Sequence, residues 1–330
     1  MRMLRLPAFR YISPRTLAEA TARLAEGGPD TAAIAGGTDL LPHMKRWQRC
    51  PTVLVGLRHL PELQGIRGTP DQGLTIGAGC TLAEVTQHPG IREAYPALAR
   101  AAGMVATATV RQMGTIGGNL CIETRCTCFD LPLHTRDALG HCFKDGGALC
   151  LVAPRSPRCW AIASSDAAPL LIAIGAQVRL VSAAGERAIS LRDLYRNDGL
   201  RPLALQPGEV LTEILLPPAD GRRAAYRKVR RRGTIDFPVL GVAVAARFAP
   251  DGTVEDASVV LGAVASAPLV VSEAARLLEG SRLDAENVRA AAVAAARSAR
   301  PLENTDLAAA WRKHLVRVTV ERALLEMALA

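Results

Sequence analysis

The chain has 330 residues, 49% of them hydrophobic, and carries a net charge of +9 from 40 Lys and Arg against 31 Asp and Glu. That length buries a large core yet outgrows a single one, so two or three domains are expected. No run approaches the ~18 apolar residues of a membrane span, and Arg5, Pro7 and Arg10 break up the first residues, so a membrane span and a secretory leader are both unexpected and a cytoplasmic address follows.

The first helix is announced by Thr16-Leu-Ala-Glu19, a capping box, with Leu17, Ala20 and Leu24 as its apolar stripe and Gly27 as its stop. Thr81-Leu-Ala-Glu84 repeats the device. Between them TAAIAGG, PTVLVGL and LTIGAG read as short buried strands, so strands and helices alternate in a mixed body. The stretch AIAGGTDLL, Ala33 to Leu41, sets two glycines after a strand and before a helix. Gly36 and Gly37 permit a turn whose N–H groups converge and, with the helix start, form an anion site suited to a pyrophosphate, with Thr38 or Asp39 as cap. It is neither a Walker loop nor a Gly-x-Gly-x-x-Gly fingerprint, and a double glycine also fits an ordinary turn. RQMGTIGGNL, Arg111 to Leu120, is a second such loop, with Thr115 and Asn119 as short polar side chains beside Gly117 and Gly118.

Five of the eight cysteines fall between Thr124 and Cys159. In a reducing compartment disulfides are unexpected, which leaves a metal site, zinc included, or chance. Beyond them, AQVRLVSAAGERAISL reads as a hairpin turning near Ala184-Gly185, and VLTEILLPP, AAYRKVRR, LGVAVAARF and TVEDASVVLGAVA as consecutive strands. The basic run GRRAAYRKVRRRG puts Tyr226, Lys228, Arg230 and Arg232 on one face of a strand and Arg227, Val229 and Arg231 on the other. It suits an anionic cofactor, a subunit contact or plain surface; no nucleic-acid-binding motif accompanies it. From Ser272 the chain turns helical: SEAARLLEG stops at Gly280, a second helix is capped by Asp284, and a last one is capped by Thr305 with a stripe of Leu307, Trp311, Leu315 and Val318. Sheet then helices make a separate α+β domain, with a boundary near Pro217-Pro218.

AGGTDLL and TIGGNL, followed by SSDAAPLLIAIGA and YRKVRRRGTIDFPVLGVAVA, resemble in that order the FAD-binding subunit of the molybdenum hydroxylase (xanthine dehydrogenase) family over nearly the whole chain. The resemblance implies an α+β fold: a two-part FAD-binding domain of the vanillyl-alcohol-oxidase (PCMH) type over 1–217, then a smaller α+β domain, like the C-terminal domain of CO dehydrogenase flavoproteins, over 218–330. It implies FAD, with the pyrophosphate on Ile34, Ala35, Gly36, Gly37, Thr38, Asp39 and Leu40 and a second grip from Arg111, Thr115, Gly117, Gly118 and Asn119. Asp166 falls on a flavin-contacting aspartate of the family, Lys228 on a lysine near the isoalloxazine, and Leu211 on a position packing against the ring.

About forty residues, 122–161, intervene between the second glycine loop and SSD, where most of the family has a short connection. This resembles the β subunit of the 4-hydroxybenzoyl-CoA reductases, whose insert carries a [4Fe–4S] cluster. The ligand positions then fall on Cys126, Cys142, Cys150 and Cys159, with Cys128 as a stand-in, Cys121 beside the flavin loop, Cys50 and Cys80 as small core residues, and His134 and His141 at the surface. The implied function is electron relay between a low-potential, ferredoxin-like donor and a molybdenum site. A molybdopterin-binding large subunit and a small subunit with [2Fe–2S] clusters would be its partners, in a dimer of heterotrimers. The other readings are the same relay in an oxidative hydroxylase acting on a CoA thioester, aldehyde or heterocycle, and a non-redox FAD- or zinc-binding module. No catalytic residue is expected on this chain.

Overall fold

Three short strands, β1 (Arg10–Ile12), β2 (Thr31–Ile34) and β3 (Val53–Gly56), pair in parallel in the order β1-β3-β2. Parallel pairing requires a crossover, supplied between β1 and β2 by the helix Leu17–Glu26. The computed structural model describes residues 5–329; Met1 to Leu4, part of the stretch read for a leader, lie outside them. Thr16 caps the first helix by accepting from Glu19 N–H, but the Glu19 carboxylate turns to Arg15 N–H, so the expected box is half made. The box at Thr81 and Glu84 is complete.

The second sheet is antiparallel, with β4 (Ile66–Thr69), β5 (Gly73–Gly77), β6 (Gln177–Ser182), β7 (Gly185–Ser190) and β8 (Val210–Leu215) in the order β4-β5-β8-β6-β7. The hairpin of β6 and β7 turns between Ser182 and Gly185, beside the position read from the sequence. The third sheet holds β9 (Arg223–Val229), β10 (Leu240–Phe248), β11 (Val254–Gly262) and β12 (Leu269–Val270), again antiparallel and in the order β12-β11-β10-β9. Its strands β10 and β11 bury most of their residues because both faces are covered. Ala243, Ala245 and Val260 pack into the core of the second sheet, whereas Val242, Val244, Val259 and Leu261 pack under the C-terminal helices. This is the two-domain, mixed helix-and-sheet architecture expected.

The last helix corrects the sequence reading. It spans Ala309–Leu329, its first N–H, that of Ala309, reached by the Glu303 carboxylate rather than by Thr305. Its buried face is Val316, Val320, Ala323, Leu324 and Met327, together with Arg312, while Trp311 is 53% exposed. Cys50, expected in the core, is exposed, whereas Cys80 is buried.

Candidate flavin cavity and cysteine segment

The two glycine loops meet. A cavity of about 730 Å³ is lined by Ile34 to Leu40, by Thr115, Gly117, Gly118 and Asn119, and by Asp166 and Leu211. A second depression of about 530 Å³ continues it past Arg49, Glu123 and Gln206 toward Arg196 and Arg201. Ligand cavities of small cofactors fall in this size range.

Gly36 is needed for packing and Gly37 for conformation. A Cβ on Gly36 would overlap the Met113 carbonyl, so only glycine lets the first loop lie against the second. Gly37 sits at φ +70°, in the left-handed region. Among the described residues, none of the backbone N–H groups from Ala35 to Leu40 donates a hydrogen bond within the protein. Asp39 heads the following helix but makes no capping bond with its side chain. Its carboxylate instead accepts from Glu123 N–H and faces Arg125 at 3.6 Å. That helix, Leu40–Lys45, is only six residues long, so the unpaired N–H groups outweigh any macrodipole as the source of attraction for an anion.

The second loop is braced rather than open. Thr115 caps its short helix by accepting from Gly118 N–H, and Gly117 N–H is spent on Ala78 O. Asn119 Oδ1 accepts from the Ser165 hydroxyl at 2.8 Å and from Ala167 N–H, while Ser165 caps the helix Ala167–Ala173. The SSD segment is thereby locked to this loop, and Asp166 is presented to the cavity.

Asp166 is 2% exposed and accepts from Tyr226 Oη and from Lys228 Nζ, each at 2.8 Å. Burial pushes the Asp166 carboxyl up and the Lys228 ammonium down, and their mutual attraction opposes both. The alternation read from the basic run holds here: Tyr226 and Lys228 share a face turned toward Asp166, and Arg230 on that face donates to Met104 O, as does Lys228. Lys228 and Arg111 do not line the cavity. Lys228 reaches it through Asp166, and Arg111 is held on Val105 O. Of the other arginines of the run, Arg222 pairs with Asp256, Arg227 with Glu326, Arg231 with Asp306 and Arg232 with Asp236, while Arg223 donates to Ala328 O. Removing one partner of a buried pair costs ~3–5 kcal/mol. Lys228→Ala should therefore lower the urea midpoint of the full chain markedly, with Asp166→Asn in the same chain restoring much of it; an unchanged midpoint in the single variant would contradict this wiring.

Sequence reasoning missed part of the wall. The segment Leu203 to Gly208 closes one side, with a Pro207-Gly208 turn as its only local signal. Ile235, Asp236 and Phe237 close another from the C-terminal sheet, and Arg125 stacks on the Phe237 ring at 4.0 Å. Cys121 also lines the cavity, its thiol pushed by burial up to about 12.

Cys126, Cys142, Cys150 and Cys159 are all buried. Ala161 N–H donates to Cys159 Sγ at 3.4 Å, and Asp145 N–H and Asp130 N–H are spent on the carbonyls of Cys142 and Cys126. The thiols are close enough to affect one another's charge, Cys142 raising Cys126, and Cys150 and Cys142 raising Cys159. Yet among the described residues no three His, Cys, Asp or Glu side chains are gathered tightly enough to grip one metal ion. The segment is braced by polar contacts. Lys144 Nζ bonds Glu123 at 2.5 Å, Thr124 Oγ1 and Gly199 O, and Arg136 and His141 pair with Asp145. Its small apolar core is Phe129, Ala161, Cys126 and Cys159. Trp160 donates its indole N–H to Ser156 and lies under the Arg158 guanidinium.

Residues 7–219 match the FAD binding domain in molybdopterin dehydrogenase, and residues 224–327 the CO dehydrogenase flavoprotein C-terminal domain. The chain is 35% identical over 287 residues to the aldehyde oxidoreductase FAD-binding subunit PaoB of Escherichia coli K12, covering 84% of this chain and 88% of that one. It is 29% identical over 323 residues to the carbon monoxide dehydrogenase medium chain of Afipia carboxidovorans, covering 96% of each. In structure it superposes on a Cu,Mo-CO dehydrogenase chain with TM-score 0.81 at 28% identity, covering 98% of this chain and 99% of that one. For quinoline 2-oxidoreductase of Pseudomonas putida 86 the values are 0.79 and 26%, with 98% of each chain covered.

Proposed function

This chain belongs to the family of FAD-binding subunits of the molybdenum hydroxylases, and from that premise we propose that it is the medium, electron-carrying subunit of a three-subunit enzyme, with FAD in the cavity and a [4Fe–4S] cluster on Cys126, Cys142, Cys150 and Cys159. The observation that carries the flavin assignment is the row of unpaired N–H groups from Ala35 to Leu40 over a glycine that no other residue can replace. A pyrophosphate supplies the acceptors those donors lack.

The cysteines suit a cluster in being four, all buried and all on one segment. Cys159 Sγ already accepts a backbone N–H from Ala161, the kind of contact that stabilises a thiolate and tunes a cluster's potential. Bound flavin would exchange electrons in ones or twos and the cluster singly, which makes the pair a relay. The chain's own part is to hold, orient and seal. Residues 1–217 would carry both groups, and 218–330 would close the flavin cavity through Ile235 to Phe237. Arg111 and Lys228 would support the site from behind its wall, Lys228 by holding Asp166 in place.

Partners would be a large subunit with molybdopterin and a small one with [2Fe–2S] clusters, in a cytoplasmic dimer of heterotrimers. Among the described residues no helix is long and apolar enough to cross a membrane. Oxidation of an aldehyde or N-heterocycle, with electrons leaving through this chain, is favoured by the oxidative activities named for its relatives. Reductive dehydroxylation of 4-hydroxybenzoyl-CoA, fed by a ferredoxin-like donor, is favoured by the cysteine-bearing segment. Anaerobic purification with iron, sulfide and flavin analysis tests the relay. About one FAD and four irons per chain are expected, and zinc without iron would remove the cluster. The isolated chain should turn over no substrate, and activity without partner subunits would overturn the division of labour.

A further inference from the structure

We propose that His43 is a direct ligand of the flavin nucleotide, its Nε2 accepting a hydrogen bond from a sugar-chain hydroxyl, and that the cysteine-bearing segment sets this role through Gln48. The inference rests on the FAD reading of the cavity. His43 is 3% exposed and lines that cavity from the helix following the first glycine loop. Its Nε2 is buried and, among the described residues, has no hydrogen-bond partner.

The tautomer follows from its neighbours. Gln48 Nε2 donates to Phe129 O at 2.7 Å and to Asp130 Oδ1 at 3.2 Å, so the amide oxygen must face the other way. That oxygen lies 2.7 Å from His43 Nδ1 and can only accept, which requires the hydrogen on Nδ1. With the second hydrogen absent, Nε2 then carries a buried lone pair without a partner among the described residues, on a side chain that lines the cavity. The nearest charged neighbour, Asp39 Oδ1 at 3.6 Å, is also an acceptor and cannot satisfy it. A hydroxyl satisfies it, and FAD carries hydroxyls on the ribityl chain and on the ribose. The ring is further fixed by stacking on Phe129, with centroids 6.3 Å apart. Phe129 and Asp130 follow Cys126 in the cysteine segment, so that segment orients a flavin ligand. Nothing in the local sequence around His43 signals this, because both acceptors that orient Gln48 lie some eighty residues away.

The test is FAD titration of the deflavinated full chain, read by flavin fluorescence. Leaving a buried group unpaired costs ~1–3 kcal/mol, so His43→Phe, which keeps the aromatic contact, should raise the dissociation constant about tenfold or more. His43→Gln, which retains an acceptor, should stay near wild type and guards against a folding failure of the first variant. Gln48→Leu should weaken binding with His43 in place and add nothing in the His43→Phe background. Competition by ADP and by FMN locates the hydroxyl: a penalty shared by ADP assigns the ribose, one confined to FMN the ribityl chain. Equal affinity of wild type and His43→Phe overturns the assignment alone. Additive losses overturn the link through Gln48. A wild-type chain that takes up no FAD overturns the cavity reading and this inference together.

Discussion

Gly36→Ala yields a chain that purifies nearly colourless, with FAD content below a tenth of wild type. The added methyl has no room, because it would overlap the carbonyl of Met113 in the facing loop. Backbone cannot rotate away as a side chain does, so the first loop must lift off the second and the row of N–H donors loses its curvature. Overpacking of this kind costs ~1–3 kcal/mol, and here the cost falls on the conformation that binds. Gly37→Ala should be milder. Its φ of +70° is unfavourable for alanine by ~1–2 kcal/mol, but its nearest neighbours are the Ile34 and Leu41 methyl groups at 3.2 Å, which can yield. Flavin absorbance per chain measures both. A yellow Gly36→Ala protein, or the reverse ranking, would refute the cradle.

Cys142→Ser separates the two cofactors. The variant should lose most of its iron and its broad visible absorbance while keeping FAD, since Cys142 does not line the flavin cavity. It should also become sensitive to protease between Leu131 and Leu149. The segment's apolar core is four residues, two of them cysteines, so on the proposed cluster reading metal ligation would supply much of its order. Cys50→Ser is the control: that thiol is exposed, outside the segment, and its loss should change nothing. Iron content unaltered in Cys142→Ser would remove this residue from the ligand set. Cys128→Ser then becomes informative, because Cys128 lies beside Cys126 and its charge raises the thiols of both Cys126 and Cys142.

Much of the fold was legible because it is periodic or punctuated. LGVAVAARF became β10 residue for residue, and the alternation in AAYRKV sorted Tyr226 and Lys228 onto the face that meets Asp166. The glycine pairs marked both loops before any contact was known, and the cysteines marked the segment that interrupts the family pattern.

Those features are local, and local chain geometry is what a sequence by itself determines. Tertiary structure alone decided which groups lose water together. Trp311 was expected inside and is outside, while its neighbour Arg312 is fully buried because the carbonyls of Val239, Leu302 and Ala263 converge to receive it. Lys228, expected near the flavin, bonds Asp166, 62 residues away, which itself lines the cavity. His43 carries no signal in its local sequence, and its contact with Gln48, itself held by Phe129 and Asp130, exists only in the fold. A buried polar group must find its partners wherever the fold brings them, and no periodicity in the chain encodes that meeting.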